Sequence, residues 1–395
     1  GLSGILTDIF PKLKSNIMPY SKVRISYSEV GNEPDQLFLT HPTYKMGTTY
    51  PETMTRMPNP DLKPERTKSW EGGLDFVFFN NKLKLNATFY KSRTYNQFFE
   101  PSLPASSGYT SVIVNSGRVD NKGLELTAHF NHNLGPVSWE SYLTWTLNRN
   151  KIVELLPAWK NPIDGNVYSL TQLDMGGTGG YKMRLVEGGT LSDIYVNTLK
   201  TDEHGAIYVD PVSQKVVAQS NTYVKAGSAA PKYNLSWGNN LSWKGLTLGF
   251  LFTYRVGGIV VSETQAVMDA FGVSKTSAQA RDNGGAIVNG RPIPAQAYYQ
   301  TIGSTNGNID SQYVYSATNL RLSELSLGYN IPVNKWISFI RTANVSFVAH
   351  NVLMLYNHAP YDPELTASTG TYFQGIDYFM QPSLRNLGFS VKLQF

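Results

Sequence analysis

At 395 residues, with a net charge of +5 from 34 Lys and Arg against 29 Asp and Glu, the chain spreads its cations along its length, which argues against a nucleic-acid partner. It contains no Cys, which excludes disulfide frameworks and thiolate metal sites, and although 41% of its residues are hydrophobic, no apolar run reaches the roughly eighteen residues of a membrane helix. Aromatic residues at 12%, among them 24 Tyr, together with abundant Gly and Asn, point instead to an all-β chain.

The opening GLSGILTDIFPKLKS lacks the basic start and apolar core of a signal peptide, so the chain reads either as cytoplasmic or as beginning inside a longer precursor. Residues 1–20 read as a preceding segment or turn, and 21–395 as one β-domain. The first strand is KVRISYSEV, where Val23, Ile25 and Tyr27 alternate with Lys22, Arg24, Ser26 and Ser28. A long polar loop then leads to a hairpin. Before Asn80-Asn81 the apolar residues fall on even numbers (Trp70, Leu74, Phe76, Phe78), and after it on odd numbers (Leu83, Leu85, Ala87, Phe89). A tight turn at the two Asn residues places Phe78 opposite Leu83 and Leu74 opposite Ala87, so one face is wholly apolar. The reverse face carries Glu71, Asp75, Lys82, Lys84, Asn86 and Thr88.

The same alternation recurs downstream. Leu124, Leu126, Ala128 and Phe130 precede a six-residue connection, NHNLGP, and Val137, Trp139, Leu143, Trp145 and Leu147 follow it. Between about 150 and 231 no comparable strand is read, and GGTGG at 176–180 reads as a flexible turn. Tyr233 to Trp243 and Leu246 to Tyr254 repeat the hairpin geometry around Lys244-Gly245. A loop of about sixty residues rich in Gly, Asn, Ser and Gln leads to Asn319–Tyr329, where the apolar parity changes between Leu322 and Leu325 as a β-bulge requires. Strands at 343–354 and 383–395 close the series, the last with Leu387, Phe389, Val391, Leu393 and Phe395 on one face.

Connections alternate long and short along the whole series, and outer-membrane barrels segregate short turns to one end and long loops to the other. That rule allows zero or two wall strands between 150 and 231, and zero is the simpler reading. Trp70, Trp139, Trp145, Trp237 and Trp243 lie on apolar faces, mostly near strand ends, as interfacial girdles need. The expectation is a transmembrane antiparallel β-barrel whose apolar face meets lipid. The competing expectation, a soluble sandwich, requires that face to pack on a second sheet.

Catalytic chemistry is missing from the pattern. His41, His129, His132, His204, His350 and His358 show no metal-ligand spacing, and neither HExxH nor G-x-S-x-G occurs. His129 falls on the polar face of a strand and reads as a lumen residue. Asp202-Glu203 and Asp362-Glu364 read as solvated loop carboxylates rather than calcium ligands. No enzyme activity, metal or cofactor is expected.

Five stretches, in order, resemble the C-terminal part of the SusC-like TonB-dependent outer-membrane transporters: KVRISYSEVGN, NPDLKPERTKSWEGGLDF, VNSGRVDNKGLELT, LRLSELSLGYNIP and VAHNVLMLYNHAPYDPEL. The resemblance implies about ten C-terminal strands of a barrel of about twenty-two, without the plug and the N-terminal strands. It implies an outer-membrane location in a Gram-negative bacterium and TonB-energised uptake of oligosaccharides or oligopeptides under a SusD-type surface lipoprotein. The alternative function is a soluble or surface-attached glycan-binding β-domain. The implied lumen- or plug-facing residues are Arg24, Glu71, Asp75, Lys84, Glu125 and Glu140. The loop aromatics expected to meet substrate or lid are Tyr109, Trp159, Tyr168, Tyr298, Tyr299, Tyr356 and Tyr372. Implied partners are the rest of the same transporter, TonB through its N-terminal part, outer-membrane lipid, the lipoprotein and the substrate, with no nucleic acid.

Overall fold

The computed structural model describes all residues except 35, 53, 116, 162–164, 304–307, 334–335, 338 and 368–372, and the side chains of 45 and 105. Eleven strands form one antiparallel sheet in strict chain order. They are β1 (Leu2–Ile5), β2 (Tyr20–Asn32), β3 (Glu65–Phe78), β4 (Leu83–Tyr95), β5 (Arg118–Leu134), β6 (Val137–Glu154), β7 (Tyr233–Trp243), β8 (Leu246–Val256), β9 (Asn319–Ile331), β10 (Thr342–Asn357) and β11 (Asn386–Gln394). Ten were legible from alternation. β1 was not, because four residues are too few to show a period, and residues 1–20 hold this strand and a helical turn, Leu6–Ile9.

Turn chemistry sets the registers. Asn80 and Asn81 both take positive φ (53° and 69°), as a two-residue hairpin turn requires, and the Lys82 N–H donates to the Phe79 carbonyl at 3.2 Å. Phe78 pairs with Leu83 and Leu74 with Ala87. Lys244-Gly245 does the same between β7 and β8, pairing Trp243 with Leu246. The third connection is tighter than its sequence suggested: β5 runs on to Leu134, opposite Val137, so only Gly135 and Pro136 turn. Gly135 supplies the positive φ (59°) that the turn needs and that Pro136 forbids. The bulge falls at Ser323, which has no partner between Leu322 and Glu324.

Two regions divide the molecule. The wall leaves its apolar face open: Trp70, Phe89, Leu143, Trp237, Leu327 and Phe389 are all exposed, Phe389 at 82%. Among the described residues no second layer covers them, which is the outcome the sandwich forbids and a lipid-facing wall requires. Buried apolar clusters occur instead among the long loops, which fold into a cap. One cluster joins Met57, Phe99, Val112, Leu155 and Leu185; a second joins Leu199, Val216, Ile293, Ile309 and Tyr313; a third joins Tyr181, Met183, Ile194, Val261 and Ile376.

The stretch between β6 and β7 adds no strand to the wall, since β6 pairs directly with β7. It forms a four-stranded cap sheet, Gln172–Gly177, Tyr181–Val186, Asp193–Leu199 and Ala218–Ser228, beside a two-stranded one. The polar stretch after β8 holds three helices, Glu263–Ala270, Lys275–Asp282 and Ala295–Ile302. Ser262 and Ser274 cap the first two by accepting the N–H of Gln265 and Ser277. A serine three residues ahead of a glutamine was the sequence signal for the first of them.

Candidate functional site

The wall's reverse face is polar, and its charges are paired across strands. Arg24 on β2 reaches both carboxylate oxygens of Asp75 on β3 (3.0 and 3.1 Å) and Thr88 Oγ1 on β4 (2.5 Å). Gly73 makes this possible: a Cβ there would lie 2.3 Å from Arg24 Nε, so any side chain would push the guanidinium off its path. His129 on β5 lies 2.7 Å from Glu140 on β6. Glu71, Lys84 and Glu125 hold the same parity, opposite Tyr90, Val77 and Thr88 respectively.

At the long-loop end this polar parity becomes the floor of the cap. Val119 on β5 and Ile152 on β6 belong to the first apolar cluster, so the loops fold inward over the polar face. The loop aromatics divide by role. Tyr109 and Trp159 pack against that first cluster, with Trp159 6.2 Å from the Tyr168 ring. Tyr298 and Tyr299 pack on the second cluster, 5.1 Å apart and perpendicular. Tyr356 is exposed at the end of β10 against His358. Tyr372 lies outside the described residues.

Between cap and wall lies a cavity of about 570 Å³. Asn150 from β6 and Arg255 from β8 line it from the wall, Phe98, Phe99 and Ile259 from the loops, and Glu364 from the loop after β10. Arg255 gives one Nη2 hydrogen bond to the Ala229 carbonyl at 2.6 Å, and its Nε has no acceptor among the described residues. An apolar cleft with a few convergent polar groups is the usual form of a small-ligand site. Composition hinted at none of this, because the lining residues come from stretches scattered between Gln97 and Gly375.

The cap is tied down by ion pairs and a carboxyl pair. Asp362 was expected to be solvated; instead it forms a nearly buried salt bridge with Arg321 of β9 and accepts from Ser383. Burial favours its protonated form, but the donors from Arg321, Ser383 and the Glu364 backbone outweigh this and hold its pKa below the ordinary aspartate value. Glu263 and Asp310 meet around Asn308, whose Nδ2 donates to both carboxylates. Burial raises both, and the neighbouring Glu263 charge helps push Asp310 up to about 8. GGTGG is correspondingly fixed rather than flexible: Thr178 donates to Glu263 at 3.0 Å, and a Cβ on Gly180 would sit 2.6 Å from Asp310 Oδ2. Among the described residues no group of three or more His, Asp or Glu is arranged to hold a metal ion.

The family model "TonB dependent receptor-like, beta-barrel" matches residues 10–181. TonB-dependent receptor P3 of Formosa agariphila is 24% identical over 409 residues, covering 96% of this chain and 40% of the relative. TonB-dependent receptor SusC of Bacteroides thetaiotaomicron is 21% identical over 369 residues, covering 89% of this chain and 34% of that protein. The chain thus spans about 40% of the length of the curated relatives it matches. In fold it is similar to a solved RagAB peptide importer in its closed-closed state, with a TM-score of 0.74 at 19% identity, over all of this chain and 43% of that one.

Proposed function

We propose that the chain is part of the outer-membrane β-barrel of a SusC-like TonB-dependent receptor and supplies wall and cap of a nutrient importer. The whole transporter would take up oligopeptides or oligosaccharides, with energy from TonB acting through a plug and with a SusD-type lipoprotein over the long loops. In this reading Arg24, Glu71, Asp75, Lys84, Glu125 and Glu140 face plug or water inside the barrel. Tyr168, exposed at the cap surface, meets substrate or lid, whereas Tyr356 stands opposite Leu320 on the wall's outward face. Tyr109, Trp159, Tyr298 and Tyr299 hold the cap together.

The observation that carries the reading is the cavity between cap and wall, lined by residues of both. Its lining favours a peptide over a sugar, since apolar walls with one guanidinium and one carboxylate match a zwitterionic chain bearing apolar side chains. The test is uptake of labelled oligopeptides and oligosaccharides by cells carrying the complete receptor. Filling the cavity by Asn150→Trp should cut peptide uptake about tenfold or more at an unchanged receptor level. Uptake indifferent to both the filled cavity and the loss of TonB would end the importer reading.

A further inference from the structure

The apolar outward face of the wall ends, toward the long loops, in Phe89 of β4, Leu124 of β5 and Leu147 of β6, paired side by side. Two residues further along each strand the same parity carries Lys91, Lys122 and Arg149, and Lys122 stands opposite both of the others. All three are exposed. Beyond them comes a second row, Lys68, Arg93, Asp120 and Lys151. There Arg93 and Asp120 neutralise each other through two bonds of 2.7 Å, and Lys68 lies 4.0 Å from Glu29. Among the described residues Lys91, Lys122, Arg149 and Lys151 have no acidic partner within 4.0 Å.

Like charges side by side on neighbouring strands oppose pairing, and an external anion offsets that repulsion. With strands about 4.8 Å apart, the three cations span about 10 Å, a width suited to a phosphorylated headgroup. The row is local. Further round the same face, the row in register with Trp145 of β6 runs through Leu235, Tyr254, Leu320 and Tyr356 of β7 to β10 and carries no cation. At the short-turn end the same faces present Phe78, Leu83 and Phe130.

We propose that Lys91, Lys122 and Arg149 dock the phosphate-bearing headgroup of an outer-leaflet lipid whose acyl chains lie along Phe89, Leu124 and Leu147. The occupant follows from continuity: the basic row adjoins, on the same strands and the same face, the surface that meets hydrocarbon. The site requires only that the wall spans a membrane, and it is independent of what the transporter imports.

The test uses the complete receptor in detergent, titrated with diphosphoryl lipid A and followed by native mass spectrometry. Each cation near an anionic lipid contributes about fivefold, so Lys122→Gln should weaken binding about fivefold and the triple Gln variant roughly a hundredfold. Lys244→Gln, at the opposite rim, should leave affinity unchanged. Lipid A stripped of its phosphates should bind wild type and triple variant alike. Equal binding of diphosphoryl lipid A by Lys122→Gln and wild type overturns the proposal, as does an equal loss in Lys244→Gln or complete competition by millimolar inorganic phosphate. Failure of the wild type to insert into membranes at all would instead defeat the wall reading, so the two failures are distinguishable.

Discussion

At the scale of single residues, one attachment of cap to wall is a nearly buried ion pair. Arg321 and Asp362 are each about 9% exposed, and Arg321 also lies 3.5 Å from Glu364. Removing the charge of Asp362 leaves a guanidinium that is nearly buried and only partly compensated, at a cost of about 3 kcal/mol. Asp362→Asn should therefore raise hydrogen exchange or proteolysis within residues 373–385, and unchanged protection there would refute the attachment. The pH dependence has a definite sign. Because the folded pKa of Asp362 is depressed, its contribution is present above the ordinary carboxylate range and is lost as pH falls through and below it. Asp362-Glu364 was visible in the sequence as an acidic pair, but its partner is 41 residues away in sequence, and no local pattern announces such a bond.

At the scale of elements, the Glu263–Asp310 pair joins the first cap helix, a turn of the cap sheet and the segment before β9. Both carboxyls have raised pKa values in the folded state, Asp310 to about 8. The folded cap thus binds a proton that the unfolded one releases, so this contribution is complete below about pH 4 and declines as pH rises toward 8. Hydrogen exchange of residues 257–303, corrected for intrinsic rates, should show the cap loosening between pH 5.5 and 8. Asp310→Asn should flatten that trend, and a trend that persists in the variant would exclude the pair as its source. The helices themselves went unread in the sequence because their polar surfaces hide the 3.6-residue period, and only the Ser caps marked them.

At the scale of the whole molecule, the sheet is open. Among the described residues β1 pairs only with β2 and β11 only with β10, so two edges present unpaired backbone, which costs several kcal/mol per group in lipid. Produced by itself, the chain should give no heat-modifiable monomeric barrel on detergent gels. Co-expression with the remaining part of the receptor should restore one, and a closed monomer formed by this chain alone would contradict the larger barrel. The same scale explains the basic row: Lys91, Lys122 and Arg149 look scattered along the chain, and strand register alone assembles them.

The alternation of apolar and polar residues determined ten of the eleven wall strands and the registers of the hairpins at Asn80-Asn81 and Lys244-Gly245, because side-chain parity in a strand is a strictly local property. What covers the apolar face, where the long loops go and which distant residues meet are consequences of packing. Tertiary structure alone decided that the loops bury their own cores over the polar face, that Arg321 holds Asp362, and that three cations from three strands stand in one row.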